Sequence, residues 1–269
     1  MPEFELSRLI AEVVRSPKYA QITPEVVSRI AKQELPRHRK LADAVKATRT
    51  KLHQAAGAYF NPNISYAHLS DNLQSSRLDN VLIWARQTMA LHASTAERLP
   101  FLEEFYATCL SGIPTPKVIL DLACGFNPFT FPWQPGFPQA TYLGCDIVLP
   151  MLDLVDQFLK KLGNNGKAFT CDLTVKTPQE TTDLVLLMKT IPLLDQVDRQ
   201  IAPRLLKELQ TDHILVTFPS KSLGGRSKGM LKTYAARMHE LVSDGSFEVT
   251  EHLLPNEIAY LLSRKTDPR

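Results

Sequence analysis

Three short apolar runs in the second half of the chain end in residues that could hold a nucleoside. The first, Val118-Ile119-Leu120-Asp121-Leu122, continues into Ala123-Cys124-Gly125-Phe126-Asn127-Pro128. Ala123, Gly125 and Asn127 take the places of a G-x-G-x-G turn, where small residues let the backbone approach a nucleotide closely. Asn tolerates a positive φ better than most residues. The second run, Tyr142-Leu143-Gly144-Cys145-Asp146, ends in an acid 21 residues beyond Gly125. An acid at that distance is placed to accept hydrogen bonds from ribose hydroxyls. The third run ends in Cys171-Asp172-Leu173, where a carboxylate can take an adenine amino group. Singly, each acid reads equally well as a helix cap or loop residue. Three such ends in one order define a candidate nucleoside site.

The residues after the turn narrow the ligand. A dinucleotide needs a Gly-rich turn and a helix N-terminus for its pyrophosphate. Here Pro128-Phe129 follow, and Phe131-Pro132-Trp133-Gln134-Pro135 interrupts any helix. S-adenosylmethionine has no phosphate and needs only a tight turn beside its amino-acid end, so the pattern favours methyl transfer over hydride transfer.

These residues require a parallel sheet to bring the strand ends together. Val118–Cys124, Thr141–Asp146, Ala168–Asp172, Asp183–Lys189 and His213–Pro219 are predicted strands, with helices over 149–162 and 196–210. Such βα alternation implies a sheet covered on both faces. Phe247–Leu254 and Ile258–Ser263, around Pro255-Asn256-Glu257, predict a terminal antiparallel hairpin, as at the edge of a class I (Rossmann-like) methyltransferase sheet. The fold class is therefore α/β.

Residues 1–110 read instead as a helical N-terminal domain. Leu6, Leu9, Ile10, Val13 and Val14 follow the helical period, and Thr23-Pro24-Glu25 starts a second helix as N-cap and first turn. Residues 39–56 are amphipathic, Asn61-Pro62-Asn63 breaks the chain, and helices are predicted over roughly 70–90 and 95–110. Gly112-Ile113-Pro114-Thr115-Pro116 joins this part to a catalytic domain over 111–269.

Bulk properties restrict the partners. The 269 residues are 44% hydrophobic, enough for a sizeable core, and contain no apolar run long enough to span a bilayer. No secretory pattern opens the sequence, so a soluble cytoplasmic protein is expected. Cys109, Cys124, Cys145 and Cys171 have no metal-ligand spacing and read as reduced core residues; no metal is expected. Residues 1–51 hold eleven Lys/Arg against six Asp/Glu, residues 118–217 eight against eleven, and residues 218–240 five against one. Two basic zones around an acidic middle suit a nucleic-acid partner, although solvated helix faces give the same asymmetry.

Several segments together resemble the aminoglycoside-resistance 16S rRNA (guanine(1405)-N7)-methyltransferases of the Arm/Rmt/Sgm group. They are His92-Ala93-Ser94-Thr95-Ala96-Glu97-Arg98-Leu99, the Leu120–Pro128 turn, Asn256-Glu257, and Phe218-Pro219-Ser220-Lys221-Ser222-Leu223-Gly224-Gly225-Arg226-Ser227-Lys228-Gly229-Met230. Weaker matches are Ser16-Pro17-Lys18-Tyr19 and Arg49-Thr50-Lys51-Leu52-His53, so the resemblance spans nearly the whole chain. It implies S-adenosylmethionine as cofactor, 16S rRNA in the assembled 30S subunit as partner, a monomeric enzyme, and resistance to gentamicin- and kanamycin-type drugs. Relatives commonly carry Arg where this chain has Ala96, and the anchor for the cofactor carboxylate is carried over to Arg98. Ser94, Ile147, Leu173 and Lys189 join Arg98, Ala123, Gly125, Asn127, Asp146 and Asp172 as the expected cofactor residues.

Guanine N7 carries an in-plane lone pair and needs no deprotonation, so positioning supplies most of the catalysis. In a folded rRNA helix that atom lies in a deep, narrow groove, which implies a flipped base stacked on an aromatic ring. Phe218, at the end of the fifth predicted strand, and Trp133, after the cofactor turn, are the candidate rings. Lys221, in the Gly-rich loop, is grouped with them at the reaction centre. Lys18, Arg49, Lys51, Arg226 and Lys228 are the expected rRNA contacts. The alternatives are a methyltransferase acting on another RNA site or a small molecule, or a non-catalytic ribosome-binding protein.

Overall fold

The computed structural model describes residues 2–57, 64–220 and 229–265. The break expected at Asn61–Asn63, and the loop positions Lys221, Arg226 and Lys228, lie outside the described residues. The first half is helical: α1 (Pro2–Val14), α2 (Pro17–Ala20), α3 (Pro24–Glu34), α4 (Leu41–Ala56), α5 (Tyr66–Ser75), α6 (Val81–Met89), α7 (Ala93–Ala96) and α8 (Leu102–Cys109). The stretch expected to be helical over 70–90 is two helices, because Arg77 is extended and a 3-10 turn, Leu78–Asn80, intervenes. Thr23 does occupy the N-cap of α3 before Pro24, but its side chain makes no capping bond.

Strands β1 (Val118–Leu122), β2 (Thr141–Asp146), β3 (Lys167–Thr170), β4 (Thr182–Met188) and β5 (Thr211–Pro219) are parallel. The hairpin β6 (Phe247–Leu253) and β7 (Glu257–Arg264) completes the order β3-β2-β1-β4-β5-β7-β6, with β7 antiparallel to β5. Helices α9 (Leu149–Lys161), α10 (Ile191–Val197), α11 (Ile201–Glu208) and α12 (Met230–Leu241) cover the sheet. The helix expected over 196–210 is α11, which starts only at Ile201; the preceding α10 ends at Val197, where Asp198 turns extended at φ −161°.

Successive side chains on a strand face opposite sides. Ile119, Tyr142, Leu184, Leu186 and Leu215 enter one core with α9 and the N-terminal helices. Their neighbours Leu120, Leu143, Val185, Leu187 and Val216 enter a second core with α10, α11 and α12. The first core runs across the 110/111 boundary, so that boundary marks a change of architecture within one packed layer. An aromatic knot fixes it there: Trp84 of α6 stacks on Phe158 of α9 at 5.7 Å, and Phe129 meets both rings edge-on at 5.2 Å. Phe129 lies in the 3-10 turn Asn127–Trp133 that follows β1, so the knot holds the cofactor turn against the helical half.

Candidate cofactor site and basic cleft

Strand order reverses between β1 and β4, and ligands of open α/β sheets bind at the carboxyl ends of strands beside such a reversal. Backbone strain is concentrated there. Ala123 and Gly125 have φ of 49° and 52°, and Lys189, just past β4, has φ 56°. A left-handed Ala costs roughly 1–2 kcal/mol, which the surroundings must sustain. Cys124 N–H donates to Cys145 O at 2.9 Å and ties the turn to β2.

Asp146, buried at the end of β2, closes the turn from the other side. Its Oδ2 accepts from Gly125 N–H at 3.2 Å and its Oδ1 from Ile147 N–H at 2.6 Å. Burial raises its pKa, partly countered by those N–H donors. Ala123, Gly125, Asn127, Asp146 and Ile147 are thus brought together as the sequence implies.

Beneath the turn lies a buried polar network. Arg98 donates through Nε and Nη2 to Glu257 at 3.0 and 2.9 Å, and through Nη1 to Asn127 Oδ1 at 2.7 Å. Tyr106 also donates to Asn127 Oδ1, at 2.9 Å. Asn127 Nδ2 and Tyr142 OH donate to Asp121 Oδ2 at 2.8 and 2.7 Å. Two buried acids here shift in opposite directions. Burial pushes Asp121 up to about 7, against the pull of Asn127, Tyr142 and Arg98. Burial also acts on Glu257, but the charges of Arg98 and Lys189 outweigh it and hold that carboxyl below its usual range. Lys189 Nζ lies 2.7 Å from Glu97 and 3.6 Å from Glu257.

The network revises the expected part of Arg98. Its side chain is 0% exposed and its guanidinium is bonded to Glu257 and Asn127, so it builds the floor of the turn. Ser94, on the short α7, is half-buried. Asp172 follows β3, flanked by the buried Leu173, but its Oδ2 is bonded by Arg29 Nε at 2.8 Å and its Oδ1 by Thr174.

The expected stacking ring also needs correction. Phe218 is fully buried, stacked on Tyr234 of α12 at 4.9 Å and set edge-on to Tyr260 of β7 at 6.0 Å. Both faces available to a base are occupied by core packing. Trp133 is half-buried, with the Arg86 guanidinium 4.7 Å from its ring centre.

On the helical half, α2 and α4 border a shallow cleft of about 470 Å³ lined by Lys18, Tyr19, Lys46, Arg49, Thr50 and His53. Lys18 Nζ and the Arg49 guanidinium lie 4.8 and 5.8 Å from the Tyr19 ring centre. Arg49 also donates to Glu12 O and Val13 O. Lys51 is turned away from this group: its Nζ is 2.7 Å from Glu34, which also binds Arg37 and His38. Lys46 and His53 were not singled out from the sequence, although they sit one helical turn to either side of Arg49.

The donor set fits a phosphate-free nucleoside. Carboxylates and backbone groups line the strand ends, while the cations Arg98 and Lys189 are neutralised by Glu257 and Glu97. Among the described residues no group of three His, Cys, Asp or Glu could hold a metal, all four cysteines are free and buried, and no helix is long and apolar enough to cross a membrane.

Comparison with known proteins gives consistent results over the whole chain. The family described as ribosomal RNA methyltransferase (FmrO) matches residues 15–261. A 16S rRNA (guanine(1405)-N(7))-methyltransferase of Micromonospora echinospora is 34% identical, with 98% of each chain covered. The protein of that name from Micromonospora rosea is 32% identical over 96% of this chain and 97% of its own. Among solved structures, the 16S rRNA methylase RmtB superposes with a TM-score of 0.80 at 29% identity, covering 97% of this chain and 98% of its own. The 16S rRNA methyltransferase RmtF, solved with S-adenosyl-L-homocysteine, gives 0.78 at 32% identity with the same coverage.

Proposed function

The chain belongs to the ribosomal RNA methyltransferase family, and from that premise we propose that it methylates N7 of guanine 1405 of 16S rRNA in the assembled 30S subunit. The observation that carries this reading is the full-length match, through helical half and sheet alike, to relatives bearing that activity in their names. Its cofactor is S-adenosylmethionine. We further propose that it acts as a monomer in the cytoplasm and confers resistance to gentamicin- and kanamycin-type aminoglycosides.

When bound, the cofactor supplies an electrophilic sulfonium methyl. The chain's own residues then have only to hold and orient, because N7 attacks through a lone pair that needs no base. The Ala123–Gly125 turn borders the amino-acid end, Asp146 accepts from the ribose hydroxyls, and Asp172 with Leu173 borders the adenine. Ser94, Ile147 and Lys189 complete this wall. Phe218 supports the pocket from the core, and Trp133, together with Lys221, is assigned to the flipped guanine. Lys18 and Arg49, joined by Lys46 and His53, contact rRNA phosphates, as do Arg226 and Lys228. Charge of this kind supplies much of the affinity for nucleic acid.

The test is to incubate the protein with 30S subunits and labelled S-adenosylmethionine, map the modified base, and score drug resistance in a sensitive bacterium. Label at guanine 1405 with gentamicin and kanamycin resistance is expected. A modified adenine, with apramycin resistance, would defeat the assignment.

A further inference from the structure

Besides the Arg98 network, a second set of polar contacts joins the helical half to the sheet half behind the ends of β2 and β3. Leu149 N–H donates to Gln21 O at 2.8 Å, and Thr23 N–H donates to Ile147 O at 2.9 Å. Between them Ile22 and Val148 form an antiparallel bridge. Residues 147–149 directly follow Asp146, so residues 21–23 act as a splint on the loop behind the ribose acid. Further along the same segment, Arg29 of α3 binds Asp172 through Nε at 2.8 Å, with side chains 23% and 12% exposed. The second carboxylate oxygen is taken by Thr174 N–H at 3.0 Å and by its hydroxyl. One continuous stretch, residues 21–29, therefore pins the segments that follow β2 and β3, at Ile147–Leu149 and at Asp172.

That stretch begins where the basic cleft ends. Tyr19, between the Lys18 and Arg49 cations, is buried, and Ile22 is 2% exposed, so α2 is wedged against the core directly beside the splint. Ordering α2 by a phosphate backbone and ordering the β2 and β3 loops by a nucleoside act on the same short segment. Two ligands that each favour one arrangement of a shared element bind with a coupling free energy, and that coupling is reciprocal.

We propose that Arg29 is a positioning residue that links cofactor binding to rRNA docking, acting through Asp172 with the Gln21–Thr23 splint. This rests on the rRNA methyltransferase reading above. Docking on the 30S subunit tightens the cofactor site, and the cofactor in turn tightens docking. Arg29 touches neither ligand. It holds Asp172 in the rotamer that faces the nucleoside and ties it to the segment that carries the cleft.

Equilibrium dialysis of labelled S-adenosylhomocysteine against the full-length protein, with and without saturating 30S subunits, reads the coupling directly. The unsubstituted protein should bind at least about fivefold more tightly on the subunit. Arg29→Met should lower that ratio to about one, and Arg29→Lys should restore part of it. Adding Asp172→Asn to Arg29→Met should bring no further loss. Thr23→Pro gives an independent probe, because it removes the N–H to Ile147, with the buried Thr side chain, at a φ of −52° that proline accepts, and leaves Arg29 and Asp172 untouched. It should also lower the ratio. A merely structural role would lower the melting temperature and leave the ratio intact in the folded fraction. An unchanged ratio in both Arg29→Met and Thr23→Pro, or a ratio of one in the unsubstituted protein, overturns the proposal. Absence of any methylation of 16S rRNA by the unsubstituted protein would instead remove the reading beneath it, and the proposal with it.

Discussion

The floor beneath the cofactor turn and the cleft on the N-terminal helices are built from the same kinds of charged residue and behave in opposite ways. Beneath the turn, Arg98 and Glu257 are both 0% exposed and grip each other through two hydrogen bonds. In the cleft, Lys18 and Lys46 are exposed, and Arg49 is only partly engaged with backbone carbonyls. The first place is closed to solvent and the second is open to it. Removing one partner of a buried pair strands a charge, whereas removing an exposed charge returns almost nothing to account for. The first region fixes the shape of the turn; the second keeps its cations at the surface.

The strongest way to break this contrast is Glu257→Gln. It leaves Arg98 buried without its counter-charge and should cost about 3–5 kcal/mol in urea unfolding. Replacing both partners by Met should recover much of that loss, since an apolar pair of similar size avoids the stranded charge. If Glu257→Gln costs no more than a surface substitution, the floor is not the rigid element described.

Phe218→Ala asks whether the neighbouring aromatic belongs to the interior or to an open face. A ring packed between Tyr234 and Tyr260 should cost about 3–4 kcal/mol on truncation, through lost contacts and the cavity left behind. An open stacking face would show the reverse: near-normal stability with slow methyl transfer.

Asp146→Ala acts on ligand affinity more than on the fold. Loss of its bonds should weaken S-adenosylhomocysteine by roughly 1–3 kcal/mol in calorimetry. Unchanged affinity in folded protein would remove Asp146 from the site.

In the cleft, Lys18→Gln with Lys46→Gln should shift stability by no more than about 0.5 kcal/mol. Binding to 30S subunits should weaken, and its dependence on log salt should flatten by roughly 1.5. Normal docking would return these charges to ordinary solvated faces.

The effect of Asp121→Asn is read against pH. Because the folded carboxyl is raised to about 7 from an ordinary value near 4, the unfolded chain releases that proton first as pH rises. Its contribution is whole below about pH 4 and is lost as pH climbs through about 7. The substitution should flatten that part of the unfolding profile. Glu257 shifts the other way, so its contribution is present above the ordinary carboxylate range and falls away in acid.

What the sequence disclosed follows from how local each signal is. The central strands β1, β2 and β4 are legible because each is a short apolar run buried on both faces, and Asp146 is legible because it ends one of them. Helix breaks at Arg77 and Asp198 are not, since apolar periodicity continues through both and only the backbone shows the interruption. The partners of the site acids are still less accessible. Arg98 meets Glu257 across 159 residues and Arg29 meets Asp172 across 143, separations at which no local pattern constrains pairing. Phe218 looked like a strand-end residue open to ligand because its cover, Tyr234, arrives from a later helix.

The position of β7 has a consequence for the order in which the protein is made. It is among the last elements synthesised, yet it lies inside the sheet between β5 and β6, and Glu257 opens it. A nascent chain that has reached only β6 therefore has a guanidinium at position 98 with nowhere neutral to go, and a cofactor turn without its floor. Contacts this distant in sequence form late. The floor of the turn is consequently completed late, and a chain that stops short of β7 lacks the carboxylate that pairs with Arg98.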